Sequence, residues 1–255
     1  MKTGNTRIIG IIPSRMGSTR LPGKPLLDIC GKPLIQRVWE AAKRSVQLQR
    51  IIVATDDERI AGICKDIGAE CVMTPSELPS GTDRIMRAYE ILKENADIVV
   101  NIQGDEPLLY GEIIDELLGK FIESQADVGT LIKRITTLEE IEDPSVVKVE
   151  IKPNMTAKCF SREPIPYLKE LPKEEWLNQA TFWKHIGVYA YKIDALWKFV
   201  SLPVSESEKK ERLEQLRLLE TGAVYYCMET DAELMGVDTP EDLERVRDYF
   251  KILFY

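Results

Sequence analysis

The sequence predicts an α/β protein built on a mainly parallel β-sheet. Three short, apolar, β-branched runs are typical of buried strands, and they alternate with segments whose apolar residues have helical spacing. Strands are predicted at Ile8–Ile12, Ile51–Ala54 and Ile98–Ile102. Helices are predicted at Pro33–Ser45, Asp57–Ile67 and Thr82–Glu94. Strands that alternate with helices in this way pair in parallel through right-handed crossovers.

The elements of the second half are less regular. In chain order we expect a hairpin of Val146–Ile151 with Ala157–Phe160, a strand at Ile186–Tyr191, a charged helix at Glu208–Glu220 and a last helix at Pro240–Phe250. Antiparallel strands inserted in a parallel sheet often form a lid or a subunit contact. The chain is therefore predicted to be one domain, residues 1–255, with a lid or dimerisation lobe at about 150–220.

Composition excludes several classes of protein. The net charge of −8 argues against nonspecific binding to nucleic acid. No apolar run approaches the roughly 20 residues of a membrane span, and the N-terminus lacks the hydrophobic segment of a signal peptide. The five cysteines are scattered without CxxC spacing, which indicates reduced thiols rather than disulfides or a zinc site. We therefore expect a cytoplasmic protein with no membrane insertion.

The segment Pro13–Lys24, which follows the first predicted strand, carries the strongest functional signal. It reads PSRMGSTRLPGK and contains three cations and no acidic residue. Cations and backbone N–H groups at the carboxyl end of a strand suit an oligophosphate, so we predict a cradle for a nucleoside triphosphate. It is not a P-loop, because five residues separate Gly17 from Gly23 and Pro25 stands where Ser or Thr is required. A solvated basic turn is the alternative.

Two acidic motifs are candidates for a magnesium site. Asp105 lies in QGDEPL, directly after the third predicted strand, where a carboxylate at the sheet edge suits Mg²⁺ bound together with substrate phosphates. Glu106 is its neighbour, and because adjacent side chains diverge we expect it to support the ligand from behind or to have a structural role. Asp238 lies in GVDTPEDLERV, before a helix with Thr239 as its cap. Each aspartate could instead serve a turn or a helix cap.

Two further motifs stay open between binding and structural roles. The segment SGTDR, residues 80–84, could read a base edge or a phosphate, or it could cap a helix. His185 is the only histidine, in HIGVYAY, where alternation places residues 185, 187, 189 and 191 on one strand face. His185 and Tyr189 could address a ligand together, or they could pack in the core.

These motifs together resemble the 3-deoxy-manno-octulosonate cytidylyltransferase family, the CMP-Kdo synthetases. The matching pieces span almost the whole chain in the family's order: IIPSRMGSTRLPGKPL, VATDDERIA, SGTDR, VNIQGDEPL, FSREPIP, HIGVYAY, LEQLRLLE and GVDTPEDLERV. The resemblance implies a three-layer fold of the nucleotide-diphospho-sugar transferase type. It also implies a cytoplasmic, Mg²⁺-dependent, usually dimeric enzyme that makes CMP-Kdo and pyrophosphate from CTP and Kdo for lipopolysaccharide biosynthesis.

The resemblance also implies roles for individual residues. The triphosphate would be held by Arg15, Ser18 and Lys24, and the cytidine would lie near Ser80, Gly81 and Gln103. Asp105 and Asp238 would bind the magnesium and, with Arg15 and Lys24, carry the catalysis. The sugar acid would be surrounded by Arg162, His185, Tyr189, Glu214 and Gln215.

The chain departs from the family pattern at two places. Met16 replaces an aromatic or bulky residue, and SESEKKER, residues 205–212, is more charged than expected for a lid or dimer contact. Three alternative functions also stay open. They are a sialic acid as acceptor, an amino-sugar analogue such as 8-amino-Kdo, and a regulator that binds nucleotide without turnover.

Overall fold

The structure, a computed structural model, describes residues 6–17 and 20–254. Its strands are β1 Ile8–Ser14, β2 Asp28–Ile29, β3 Lys32–Pro33, β4 Arg50–Thr55, β5 Glu70–Met73, β6 Ile98–Asn101, β7 Val128–Arg134, β8 Lys148–Ile151, β9 Ala157–Ser161, β10 Trp183–Lys192 and β11 Tyr225–Glu229. Its α-helices are α1 Leu34–Ala42, α2 Glu58–Asp66, α3 Gly81–Leu92, α4 Gly111–Ser124, α5 Leu138–Glu142, α6 Trp176–Gln179, α7 Ile193–Ser201, α8 Glu206–Glu211, α9 Gln215–Leu219 and α10 Pro240–Phe254. These elements confirm the predicted α/β class with a mainly parallel central sheet.

The chain divides into two compact units. Unit 1 comprises Met1–Glu116 with Ala232–Tyr255, and unit 2 comprises Leu117–Asp231. The proposed lobe at about 150–220 falls within unit 2, and the description of the chain as one domain with a lobe stays a prediction. No helix in the described residues is long and apolar enough to cross a bilayer.

Unit 1 contains four parallel strands in the order β6, β1, β4, β5. The central strand β1 lies between β4 and β6, and residues on both of its faces are buried: Ile9, Ile11 and Ile12 are inaccessible to solvent. This explains why β1 reads as a continuous apolar run rather than an alternating one. Because β1 is parallel to β4 and β6, these three strands end at the same edge of the sheet.

Side-chain caps begin α2, α3 and α10 of unit 1. Asp57 accepts a hydrogen bond from the backbone of α2, and Ser80 does so from α3. At α10 the Thr239 hydroxyl accepts from the Asp242 N–H at 3.1 Å, while the Asp242 carboxylate accepts from the Thr239 N–H at 2.9 Å. Asp242 thus completes a capping box in which Glu or Gln is the usual partner.

Unit 2 has β7 between parallel β11 and antiparallel β10. The predicted hairpin is confirmed as β8 and β9, which pair in antiparallel fashion. A core cluster of Ile135, Ile141, Trp176 and Phe182 packs beside these strands. The simple alternation predicted for β10 is wrong, because the pairing register with β7 shifts between Ile186 and Tyr189.

The single helix predicted at Glu208–Glu220 is also wrong. The structure has α8 and α9 there, separated by Arg212, whose backbone is left-handed at φ 55°. Ser205 begins α8 with a capping box, and Glu208 then points inward to an ion pair with Arg217 at 2.6 Å. A stretch that reads as a charged surface helix therefore contributes a buried carboxylate.

Candidate nucleotide-binding site

A cavity of about 350 Å³ lies in unit 1 at the ends of β1 and β6. Its walls come from the cationic loop, the first turn of α3, the QGD loop after β6, and Asp238. Three loops that carry predicted site residues therefore meet in one cavity. The loop after β4 contributes Asp56, whose carboxylate accepts a hydrogen bond from the cavity residue Arg84.

Lys24 connects the two candidate metal ligands. Its Nζ lies 2.7 Å from Asp105 Oδ2 and 2.9 Å from Asp238 Oδ1. The Nη2 of Arg20 adds a third contact, 3.1 Å from the same Asp238 oxygen. Burial by itself would lower the pKa of Lys24, but the two carboxylates outweigh it and raise that pKa above its usual range. Lys24 is therefore a permanent cation between two carboxylates.

Gly104 allows the QGD loop to approach the end of β1. A Cβ at Gly104 would lie 2.7 Å from the carbonyl oxygen of Pro13, closer than side-chain atoms tolerate. The backbone N–H of Val237 then donates to the Asp105 carbonyl oxygen at 2.9 Å. These two approaches fix the backbones that carry Asp105 and Asp238 side by side.

Glu106 lies behind the carboxylate pair. Its Oε2 is buried and has no hydrogen-bond partner among the described residues, and its Oε1 lies 2.9 Å from where a Cβ on Gly236 would stand. Burial, followed by the charges of Asp105 and Asp238, raises the pKa of Glu106 to about 8. The supporting or structural role expected for Glu106 stays a prediction, and the structure places its carboxyl against the loop that leads to Asp238.

The other predicted nucleotide-binding residues that the structure describes also line the cavity. Arg15 is exposed, Ser80 and Gly81 form the start of α3, and Gln103 donates to the Asn101 side chain at 3.1 Å. Ser18 lies outside the described residues.

Arg84 also lines the cavity, and sequence reasoning did not place it in the predicted set. The buried guanidinium of Arg84 donates to Asp56 at 2.9 Å and to the Thr74 hydroxyl at 2.5 Å. The sequence feature that could have indicated Arg84 is its place as the last residue of SGTDR. A guanidinium has five N–H donors, so Arg84 retains donors beyond these two bonds.

The residues present fit a magnesium ion. One carboxylate oxygen of Asp105 and one of Asp238 converge on a single cation, the Lys24 ammonium, which stands in for an ion there. No group of three or more His, Cys, Asp or Glu side chains suited to a metal occurs in the described residues. Two carboxylates are nevertheless enough, because Mg²⁺ usually keeps several waters and takes further oxygens from substrate phosphates.

Four of the five residues expected around the sugar acid form a cluster in unit 2. The His185 and Tyr189 rings lie 5.4 Å apart, and Tyr225 donates to the Gln215 carbonyl oxygen at 3.2 Å. The charge of Glu214 contributes, after burial, to raising the pKa of Tyr189 and of Tyr225. The buried Nε2 of Gln215 has no hydrogen-bond partner within the part of the chain that the structure describes.

His185 is held in this cluster in a neutral state. Its Nε2 lies 2.9 Å from the Thr130 hydroxyl, and its ring packs edge-on to Phe160 at 4.9 Å. Burial lowers the pKa of His185 to about 3. Although the register of β10 shifts, His185 and Tyr189 pair with Ile132 and Thr130, two residues apart, and so share one face.

Arg162 is the fifth predicted sugar residue, and its guanidinium already contacts the backbone. Its Nε donates to the Glu211 carbonyl oxygen and its Nη1 to that of Pro144, each at 2.8 Å. These bonds place Arg162 beside Glu211, the last residue of α8. Glu211 lies three residues before Glu214 in the chain.

Comparison with known proteins gives consistent findings. Residues 9–230 match the model of the cytidylyltransferase family. The 3-deoxy-manno-octulosonate cytidylyltransferase of Parabacteroides distasonis is 44% identical over 243 residues, which cover 94% of this chain and 96% of the relative.

Two solved structures are also similar. One is CMP:2-keto-3-deoxy-manno-octonic acid synthetase complexed with CTP, with a TM-score of 0.90, 39% identity, and coverage of 98% of this chain and 100% of the other. A cytidylyltransferase from Leptospira borgpetersenii has a TM-score of 0.66 at 17% identity, covering 98% of this chain and 89% of its own. The second match bears on the fold alone.

Proposed function

The chain belongs to the cytidylyltransferase family, among the 3-deoxy-manno-octulosonate cytidylyltransferases, and from that premise we propose the reaction of its unit 1 cavity. The enzyme transfers CMP from CTP to 3-deoxy-manno-octulosonate (Kdo) and releases pyrophosphate. The observation that carries this proposal is the pair of carboxylates, Asp105 and Asp238, meeting at Lys24 in a cavity lined by arginines. Such an arrangement suits a triphosphate and its counter-ion.

The cationic loop binds and orients the triphosphate. Arg15 and Lys24 line the cavity at the end of β1, where they would stabilise the charge that develops on the leaving pyrophosphate. Ser18 would add a donor from the same loop. At the other wall, Ser80, Gly81 and Gln103 would contact the cytidine. Holding the α-phosphorus in line with the acceptor supplies most of the catalysis in phosphoryl transfer.

The attacking group is the C2 hydroxyl of Kdo. Mg²⁺ held by Asp105 and Asp238 would neutralise the α-phosphate and lower the pKa of that hydroxyl. The chain's own contribution is to hold both carboxylates at one point, through the hydrogen bond between Val237 and Asp105. As the oxygen of Kdo bonds to the α-phosphorus, the bond to pyrophosphate breaks on the opposite side.

The cluster in unit 2 would bind the sugar acid. Gln215 has a buried amide nitrogen with a free donor, which suits a carboxylate or a hydroxyl. Glu214 and the neutral His185 ring would bond sugar hydroxyls, and Tyr189 would form an apolar wall. Arg162 would bring positive charge to the carboxylate of the acid.

The test measures pyrophosphate release from CTP and Mg²⁺ with Kdo, 8-amino-Kdo, N-acetylneuraminate or no acceptor. Release with Kdo alone supports the proposal. Release with another acid keeps the mechanism and changes the acceptor. CTP binding without release from any acceptor would instead support the regulator.

The metal role is tested by Asp105→Ala. We expect turnover to fall well beyond tenfold, a loss of more than about 1.4 kcal/mol in transition-state stabilisation. Asp248→Ala is the matched control, since the Asp248 side chain is exposed on α10 and forms an ion pair with Lys251. Turnover of Asp105→Ala within tenfold of the control would remove the metal role.

The family resemblance supports three further proposals. We propose that the chain is one nucleotidyltransferase domain with a lid or dimerisation lobe at about 150–220. We also propose that it works as a homodimer in the cytoplasm and supplies lipopolysaccharide biosynthesis. Sedimentation of the purified protein tests the dimer, and a monomer at all concentrations would contradict it.

A further inference from the structure

The position of Lys24 carries an inference that rests on the proposed metal use. We propose that Lys24 is the resident cation of the metal site, neutralising Asp105 and Asp238 until a divalent cation takes its place. Lys24 then occupies the metal position before it contacts phosphate. Free metal would bind weakly to the empty enzyme and well only when a triphosphate gives Lys24 another partner.

The first support is that Lys24 and a divalent ion cannot share this position. The ammonium nitrogen lies 2.7 and 2.9 Å from the two carboxylate oxygens, which is ordinary ion-pair geometry. Magnesium requires oxygens at about 2.0–2.1 Å and would occupy the same space between the two carboxylates. Binding of the metal by both aspartates therefore requires the Lys24 ammonium to leave.

The second support is the balance of charge. Asp105 and Asp238 carry two negative charges, and Lys24 and Arg20 already supply two positive charges within 3.1 Å. A divalent cation added alone would leave the displaced ammonium without a counter-ion. A triphosphate provides one, since its oxygens are the groups to which a lysine of this kind binds.

The third support is that the carboxylates meet without Lys24. The hydrogen bond from Val237 N–H to the Asp105 carbonyl oxygen joins the two backbones independently of the side chains. A variant without the ammonium would therefore still present both carboxylates at one point, where they repel each other and attract a cation.

The test is titration with Mn²⁺ in the absence of nucleotide, following the free-ion signal by electron paramagnetic resonance. The proteins are the wild type, Lys24→Met and Arg20→Met. We expect Lys24→Met to bind one Mn²⁺ at least tenfold more tightly than the wild type. Arg20→Met removes the same charge from a more exposed side chain and is expected to change the affinity less than threefold.

Three results would overturn the inference. They are equal affinity in the wild type and Lys24→Met, no binding by Lys24→Met, or an equal gain in Arg20→Met, which would indicate general electrostatics. Adding Asp105→Asn to Lys24→Met should abolish the gain in Mn²⁺ affinity, which would locate the bound ion at the Asp105 carboxylate. Lys24→Gln repeats the test should Lys24→Met fail to fold. Because neither CTP nor Kdo is present, this result is independent of pyrophosphate release, which tests the proposed function.

Discussion

The single histidine makes one pH effect measurable in isolation. Folding lowers the pKa of His185 to about 3, against about 6.5 in an unfolded chain. Between these values the unfolded chain binds a proton that the folded protein does not, so stability is lost as the pH falls below 6.5. From pH 7 to pH 5 the loss is about 2 kcal/mol. This number depends little on the folded pKa, because at pH 5 the folded ring is neutral for any pKa below about 4.

Urea unfolding of the wild type and His185→Gln at pH 7 and pH 5 measures this loss. Carboxylates titrate in both proteins and cancel in the difference, which leaves about 2 kcal/mol from His185. The imidazole Hε1 proton also gives a single resonance, because the chain has one histidine. We expect its chemical shift to stay constant from pH 7 to pH 5. Equal pH dependence in the two proteins, or a resonance that titrates near pH 6.5, would refute the burial argument.

Three further predictions concern stability and are checked by chemical denaturation. A Cβ at Gly111 would collide with the backbone of Ser45, so Gly111→Ala should destabilise by at least about 2 kcal/mol. Gly119→Ala on the same helix meets nothing within 4 Å and should stabilise by about 0.5–1 kcal/mol; equal effects would contradict the packing. Glu208→Ala leaves the buried Arg217 without its carboxylate partner and should cost about 3–5 kcal/mol, and a loss below about 1 kcal/mol would show that the pair is exposed.

The elements of unit 1 could be predicted because their patterns are local. The run Ile8–Ile12 is buried on both faces, and polar residues cap α2 and α3. β5 had no such pattern, because Glu70–Met73 is a four-residue strand at the end of the strand order, and Val72 is its only buried residue. The break at Arg212 was missed for a similar reason, since the ion pair of Glu208 depends on Arg217, nine residues away in the chain.

The candidate site could be predicted as far as the topology determines it. Strand ends place Arg15 and Asp105 at one edge of a parallel sheet, and the structure brings both into the cavity. The bridge from Lys24 to Asp238 could not be predicted, because it joins residues at opposite ends of the chain. Arg84 reads as a helix residue in the sequence and lines the cavity only because Asp56 holds its guanidinium.

Glu106 shows why the charge of the site could not be predicted without the structure. Sequence alone indicates only that its side chain diverges from that of Asp105. In the fold the Glu106 carboxyl lies against Gly236. A side chain at position 236 would displace this carboxyl, so the glycine allows Glu106 to be buried there. Burial raises its pKa most, both aspartates raise it further, and Lys24 opposes them. The charge that Glu106 contributes therefore depends on the fold around it, and no pattern in QGDEPL indicates it.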